Sequence, residues 1–142
     1  MIVFLDTNIL SELMRAKPEP RVVAWLDAQN SQTIWLPSIV VFEVRYGLER
    51  MPSGSRRAAL ESAFEATLRY DFAGRIAAFD EAAAQEAGSL AAASERAGRP
   101  IDMRDLMIAG IVKSRGATLA TRNTRDFEIH GLALVDPWLH AL

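Results

Sequence analysis

Short apolar runs alternate along the chain with longer stretches in which apolar positions recur every three or four residues. That pattern predicts buried strands separated by amphipathic helices. The first run, Ile2-Val3-Phe4-Leu5, suits a strand buried on both faces, as in a parallel sheet. Thr7 and Asn8 are good helix N-caps, followed by Ile9, Leu10 and Leu13 at helical spacing. Lys17-Pro18-Glu19-Pro20 breaks that helix, and Pro20 opens a second one carrying Val22, Val23, Trp25 and Leu26 to about Gln29. Thr33–Leu36 is a second strand closed by Pro37, and Ser38 is placed to cap a helix over Ile39–Met51. After the loop Pro52–Ser55, Arg56–Tyr70 reads as one long helix with Leu60, Phe64 and Leu68 along a stripe.

The second half repeats the alternation. Ile76–Phe79 is a short strand, and Asp80 caps an alanine-rich helix over Glu81–Ala97 that Gly98 stops. A further helix runs from about Met103 to Arg115 and ends at Gly116. Thr118–Ala120 is the fourth strand, followed by the polar run Thr121–Asp126. Leu132–Val135 is an edge strand, and Asp136-Pro137-Trp138 ends regular structure. The expected fold is α/β, three layers with a mainly parallel central sheet of four to five strands flanked by helices. One domain is expected over the 142 residues.

Composition narrows the chemistry. With no cysteine, thiol catalysis, disulfides and thiolate metal sites are excluded. No apolar stretch approaches the ~18 residues of a membrane span, so a cytoplasmic location without membrane contact is expected. The net charge of −2 argues against a broad nucleic-acid-coating surface. Between Arg96 and Asp126, however, seven bases face three acids, which leaves room for a basic rim around an acidic pocket.

The acids fall in a telling place. Asp6 follows strand one, Glu43 lies in the helix after strand two, Asp105 is in the first turn of the helix from Met103, and Asn123 and Asp126 follow strand four. Parallel topology brings these ends to one edge of the sheet, where open α/β folds bind ligands. Oxygen ligands without His or Cys select hard cations. Each acid also has an ordinary use: Asp6 as a turn or cap, Glu43 on a solvent face, Asp102 as the N-cap before Asp105, and Asp126 in an Asx turn. Spacing alone leaves both readings open.

Four motifs in order resemble those of the PIN domain. They are Asp6-Thr7-Asn8 after a buried strand, Glu43 in Val-Phe-Glu-Val-Arg-Tyr-Gly, Asp105 in Asp-Leu-Met-Ile-Ala-Gly, and Thr121-Arg122-Asn123-Thr124-Arg125-Asp126-Phe127. The resemblance spans the chain and is strongest to the VapC toxins of toxin–antitoxin pairs, in particular their FitB branch. It implies a metal-dependent endoribonuclease, a homodimer, and inhibition by a small cognate antitoxin that carries any contact with operator DNA. It also implies metal ligands at Asp6, Glu43 and Asp105, for Mg²⁺ with Mn²⁺ as a substitute. Thr121 matches a family hydroxyl near the site. Where many relatives have a fourth acid this chain has Asn123, with Asp126 three residues later, and either completes the catalytic set.

The mechanism that follows is hydrolysis of RNA by an activated water, leaving a 5′-phosphate and a 3′-hydroxyl. Arg45, Arg122 and Arg125 are candidate phosphate contacts. Rival readings are aspartyl-phosphate chemistry at Asp6, disfavoured because Asn8 stands where a second acid belongs, and a non-catalytic component that serves a DNA-bound complex with the antitoxin. The segments Ile9–Met14 and Arg56–Tyr70 are expected to form the antitoxin groove, and Trp25, Trp35 and Trp138 to be packing anchors.

Overall fold

In the computed structural model, which describes residues 1–128 and 131–142, five short strands form one all-parallel sheet in the order β3-β2-β1-β4-β5. They are β1 (Val3–Leu5), β2 (Ile34–Pro37), β3 (Ile76–Ala77), β4 (Thr118–Ala120) and β5 (Ala133–Val135). The central strand pairs on one side through Val3 with Ile34 and on the other through Leu5 with Ala120. Phe4, Leu5, Leu36, Leu119 and Ala120 are completely buried, as expected for strands covered on both faces. That explains why the strands read as unbroken apolar runs rather than as alternations.

Helices α1 (Thr7–Leu13) and α2 (Pro20–Asp27) join β1 to β2, and α3 (Ser38–Arg50) and α4 (Ser55–Ala66) join β2 to β3. Helices α5 (Glu81–Arg96) and α6 (Met103–Ser114) join β3 to β4, and α7 (Thr124–Glu128) leads towards β5. Strands one to three step outward on one side of β1, and strand four begins the other side. The order therefore reverses between β1 and β4, and a crevice opens at their carboxyl ends.

Several local expectations are corrected. Thr7 and Asn8 are not caps: Asp6 occupies the N-cap position, and its Oδ1 accepts from the Thr7 N–H at 2.8 Å. Ser38 is likewise inside α3, whose N-cap is Pro37; its hydroxyl instead accepts from the Phe79 N–H at 3.2 Å and ties α3 to the end of β3. The segment Arg56–Tyr70 does not stay α-helical. It widens into a π-helical turn over Thr67–Asp71, which brings the Arg75 guanidinium onto the carbonyls of Ile34 and Asp71. The third strand stops at Ala77, two residues early, and the polar run after β4 winds into α7. Pro137–Leu139 forms a 3-10 turn rather than ending regular structure, with the Asp136 carboxylate accepting from the Trp138 N–H.

Gly98 ends α5 in the left-handed region at φ +68°, as its position after the alanine run predicts. Gly110 serves close packing instead. A Cβ there would fall on the Ala83 carbonyl oxygen and within 2.9 Å of the Ala87 Cβ, so α5 and α6 meet almost backbone to backbone. That contact fixes the height at which the first turn of α6 arrives at the crevice. Among the described residues no helix is long and apolar enough to cross a membrane.

Candidate active site

The crevice between β1 and β4 is built around one buried carboxylate. Asp6 is 4% exposed and sits where the last apolar residue of β1 gives way to α1. Its N–H donates to the Ala120 carbonyl at 2.9 Å, continuing the β1–β4 ladder by one residue. Oδ1 faces the N-terminus of α1, and Oδ2 accepts from the Thr121 hydroxyl at 2.7 Å and from the Asn8 amide at 3.3 Å. Thr121 is itself fully buried at the end of β4, and its oxygen accepts from the Asn123 N–H at 3.0 Å. Three neighbours thus hold the Asp6 carboxylate in one orientation.

Asn8 does more than hold Asp6. Its Oδ1 accepts from the Arg122 N–H at 3.3 Å, and its amide lies 3.5 Å from the Thr121 hydroxyl. One side chain therefore pins the loop after β4 to the start of α1. Reading Asn8 as a cap concealed this; the signal available was an amide two residues after an acid, with donors and an acceptor to offer both ends of a crevice.

Glu43 enters from α3. Its Oε1 accepts from the Thr7 hydroxyl at 2.9 Å, so the residue after Asp6 also orients the second acid. Arg104 approaches its other oxygen at 3.8 Å. Asp105 arrives from the first turn of α6, where Asp102 is the N-cap through the Arg104 N–H. Among the described residues the Asp105 carboxylate accepts no hydrogen bond, which leaves both oxygens free. Asp126 lies in the first turn of α7, exposed.

Burial, and then neighbouring acids, raise the proton affinity of all three acids. Burial pushes Asp6 up, against the hydrogen bonds from Thr121, Thr7 and Asn8, and Asp126 adds to the rise. Burial also raises Glu43, offset by the Thr7 hydroxyl and the Arg104 charge, with Asp6 and Asp102 working the other way. Asp105 is pushed up to about 7, first by burial and then by the charges of Asp6, Asp102, Glu43 and Asp126. Among the described residues no cation is placed to relieve Asp105. A positive charge entering the crevice would favour the ionised form of each acid.

That is the donor chemistry of a hard divalent cation: carboxylate oxygens, no nitrogen or sulfur, and uncompensated negative charge. Among the described residues no three acid or histidine side chains yet stand close enough to enclose an ion. The set fits such an ion through Asp105, whose unbonded carboxylate is free to turn inward, and Asp6, whose orientation is already fixed.

The remaining candidates are placed as follows. Asn123 is exposed beside Thr121, its backbone engaged with the threonine hydroxyl. The Arg122 guanidinium lies over the Trp138 ring at 4.8 Å, so Trp138 anchors a base as well as the chain end. Trp25 is buried in the core, as a packing anchor should be. Arg125 is exposed on α7. Arg45 points away from the crevice: it pairs with Glu61 and Glu65 of α4 and stacks over Phe64. Of the expected groove segments, Ile9 and Leu10 are core. Ser11 of α1, Met14 just after it, Val44 and Leu48 of α3, and Ala59 and Leu60 of α4 line an apolar groove of about 600 Å³ that reaches Thr7 and Glu43.

Comparison with known proteins agrees with this fold. Residues 3–131 match the PIN domain. The VapC ribonuclease Y4jK of Sinorhizobium fredii is 39% identical over 137 residues, covering 96% of this chain and 98% of that one. The toxin FitB of Neisseria gonorrhoeae is 35% identical over 137 residues, covering 96% of this chain and 99% of its own. Among solved structures, FitAB bound to an IR36 DNA fragment superposes with a TM-score of 0.91 at 34% identity, covering 99% of each chain.

Proposed function

The chain belongs to the PIN-domain family, and on that premise we propose that it is the toxin of a toxin–antitoxin pair, a metal-dependent endoribonuclease with Asp6, Glu43 and Asp105 as its metal ligands. The observation that carries this is the delivery of three acids from β1, α3 and α6 to one crevice, where Asp105 is pushed up to about 7, first by burial and then by the charges of its acidic neighbours. Similarity to the VapC ribonuclease Y4jK and to toxin FitB supports the same reading.

When bound, Mg²⁺ (or Mn²⁺ in its place) would lower the pKa of a water and offset charge on the phosphodiester. The residues of the chain do the rest. Thr121, Asn8 and Thr7 hold Asp6 and Glu43 in fixed orientations, so that little reorganisation remains when substrate arrives. Asp105 would hold the cation as a carboxylate, so that binding would be coupled to loss of a proton. Asn123 or Asp126 completes the set; Asn123 offers a carbonyl oxygen without charge. The water oxygen bonds to phosphorus as the bond from phosphorus to the 3′-oxygen breaks. The proton the water loses ends on that oxygen, leaving a 3′-hydroxyl and a 5′-phosphate. Arg122 and Arg125 border the crevice as phosphate contacts, whereas Arg45, held by glutamates, is left out of this role.

The proposed partner is a small antitoxin whose apolar segment fills the groove between α1, α3 and α4. Because that groove ends at Glu43, an occupant would also obstruct the acids. The FitAB complex on DNA supports a similar assembly here, with operator contacts made by the antitoxin. The free toxin is proposed to be a homodimer acting on cytoplasmic RNA.

The test is cleavage of RNA by the purified chain in Mg²⁺, with and without excess EDTA, beside Asp6→Asn and Asp105→Asn. Cleavage that EDTA and both substitutions abolish supports the nuclease. Equal cleavage in EDTA sinks the metal mechanism. An antitoxin-binding protein that never cuts RNA would instead favour the non-catalytic role.

A further inference from the structure

A nuclease that binds RNA through an acidic crevice needs bases at its rim, and the chain has committed several of its guanidinium groups elsewhere. Arg45 and Arg57 are tied to the glutamates of α3 and α4, Arg15 to Glu12, and Arg75 and Arg115 to carbonyls. Arg122 rests on Trp138. Arg104 is different. Its Nη1 lies 3.8 Å from Glu43 Oε2 and its Nε 3.5 Å from Asp102 Oδ1. These distances allow attraction without well-formed hydrogen bonds, and among the described residues its side chain donates none. The side chain is 42% exposed. Among the described residues it is the one base ion-paired with any of Asp6, Glu43, Asp105 and Asp126.

Helix stability does not explain a base at this position. Arg104 is in the first turn of α6, where the helix dipole favours acids and disfavours cations. The cation is kept at an unfavourable end of its helix, directly before Asp105, with its donors unspent.

We propose that Arg104 binds the non-bridging oxygens of the phosphodiester to be cut, and so is a substrate-binding residue of the nuclease proposed above, on which this inference rests. A guanidinium presents two parallel N–H groups to two phosphate oxygens, a match a point charge lacks. The weak hold of Glu43 leaves Arg104 free to turn to substrate once that carboxylate is occupied by a cation. Arg104 also sets the charge balance of the rim, since the crevice acids would otherwise repel RNA.

The experiment compares wild type, Arg104→Ala and Arg104→Lys in Mg²⁺-dependent cleavage of a single-stranded oligoribonucleotide over a range of salt, with calorimetric Mn²⁺ titration of the RNA-free proteins. Arg104→Ala is expected to lose about 10- to 100-fold in kcat/KM and Arg104→Lys less. The slope of log kcat/KM against log salt should fall by about 0.7, one single-strand phosphate contact. Mn²⁺ affinity should stay equal or rise, because a like charge has left. If wild type cleaves and Arg104→Ala matches it with an unchanged salt slope, Arg104 is not a phosphate contact, while the nuclease stands. A parallel loss of Mn²⁺ binding would make Arg104 a support for Glu43 and overturn the proposal. An inactive wild type overturns both readings.

Discussion

The Thr121 hydroxyl donates to Asp6 Oδ2 at 2.7 Å with both residues buried, joining the ends of two neighbouring strands that are 115 positions apart in the chain. This bond does two things at once. It satisfies an oxygen that burial would otherwise leave costly, and it aims the carboxylate. Thr121→Val keeps the shape and removes the donor, so it should cost about 1–3 kcal/mol of stability and most of the RNA cleavage. Thr121→Ser should retain both. Urea unfolding and cleavage assays on the pair check this; a valine variant as stable and active as wild type would show the bond to be idle.

The raised pKa of Asp105 sets a pH dependence of stability. Its folded value is about 7, above the ordinary 3.8, so the folded state binds more protons than the unfolded state between those values. Stability of the metal-free protein should therefore fall as pH rises from about 4 to 7. Asp105→Asn should remove much of that decline, and added Mg²⁺ should stabilise wild type more at pH 8 than at pH 5.5. Thermal melts at these pH values decide it; a wild-type stability that rises steadily across the window would contradict the assigned environment.

Asn123, exposed beside Thr121, is proposed as a neutral member of the metal-binding set. Asn123→Asp should tighten Mn²⁺ binding on the order of tenfold, since one added charge near a divalent ion is worth at least ~1.4 kcal/mol. Calorimetric titration measures it directly. If affinity does not change while Asp126→Asn weakens it, the completing oxygen belongs to Asp126.

Gly110 carries a purely steric prediction. Gly110→Ala puts a methyl group onto the Ala83 carbonyl and against Ala87, and should destabilise by about 1–3 kcal/mol. Because the displaced helix bears Asp105, cation affinity should drop as well. Gly88, whose Cβ would meet nothing within 4 Å, serves as the control: Gly88→Ala should be neutral or stabilising in the same denaturation experiment.

The strands and Asp6 were legible because an apolar run buried on both faces must end where a polar residue appears; Glu43 and Asp105 were legible through the helices α3 and α6 that carry them, since a parallel sheet gathers these ends together. The sequence was less informative wherever a side chain had two uses. Thr7 and Asn8 looked like caps because cap and crevice call on the same short polar groups; in the fold Thr7 serves Glu43, and Asn8 serves Asp6 and Arg122. Ser38 was misread for the same reason. Arg104 gave no signal, because an arginine on the first turn of a helix resembles any solvated base until the acid across from it is known. Arg45 erred in the opposite direction: its neighbour in sequence is Glu43, but helical rotation turns it towards α4.

The central strand gains its second neighbour only when residues 118–120 pair with it. A growing polypeptide therefore acquires Asp6, Glu43 and Asp105 before the Thr121 clamp and the floor of the crevice exist. The three acids are thus necessary without being sufficient: until β4 is in place, Asp6 lacks the hydroxyl that aims its carboxylate.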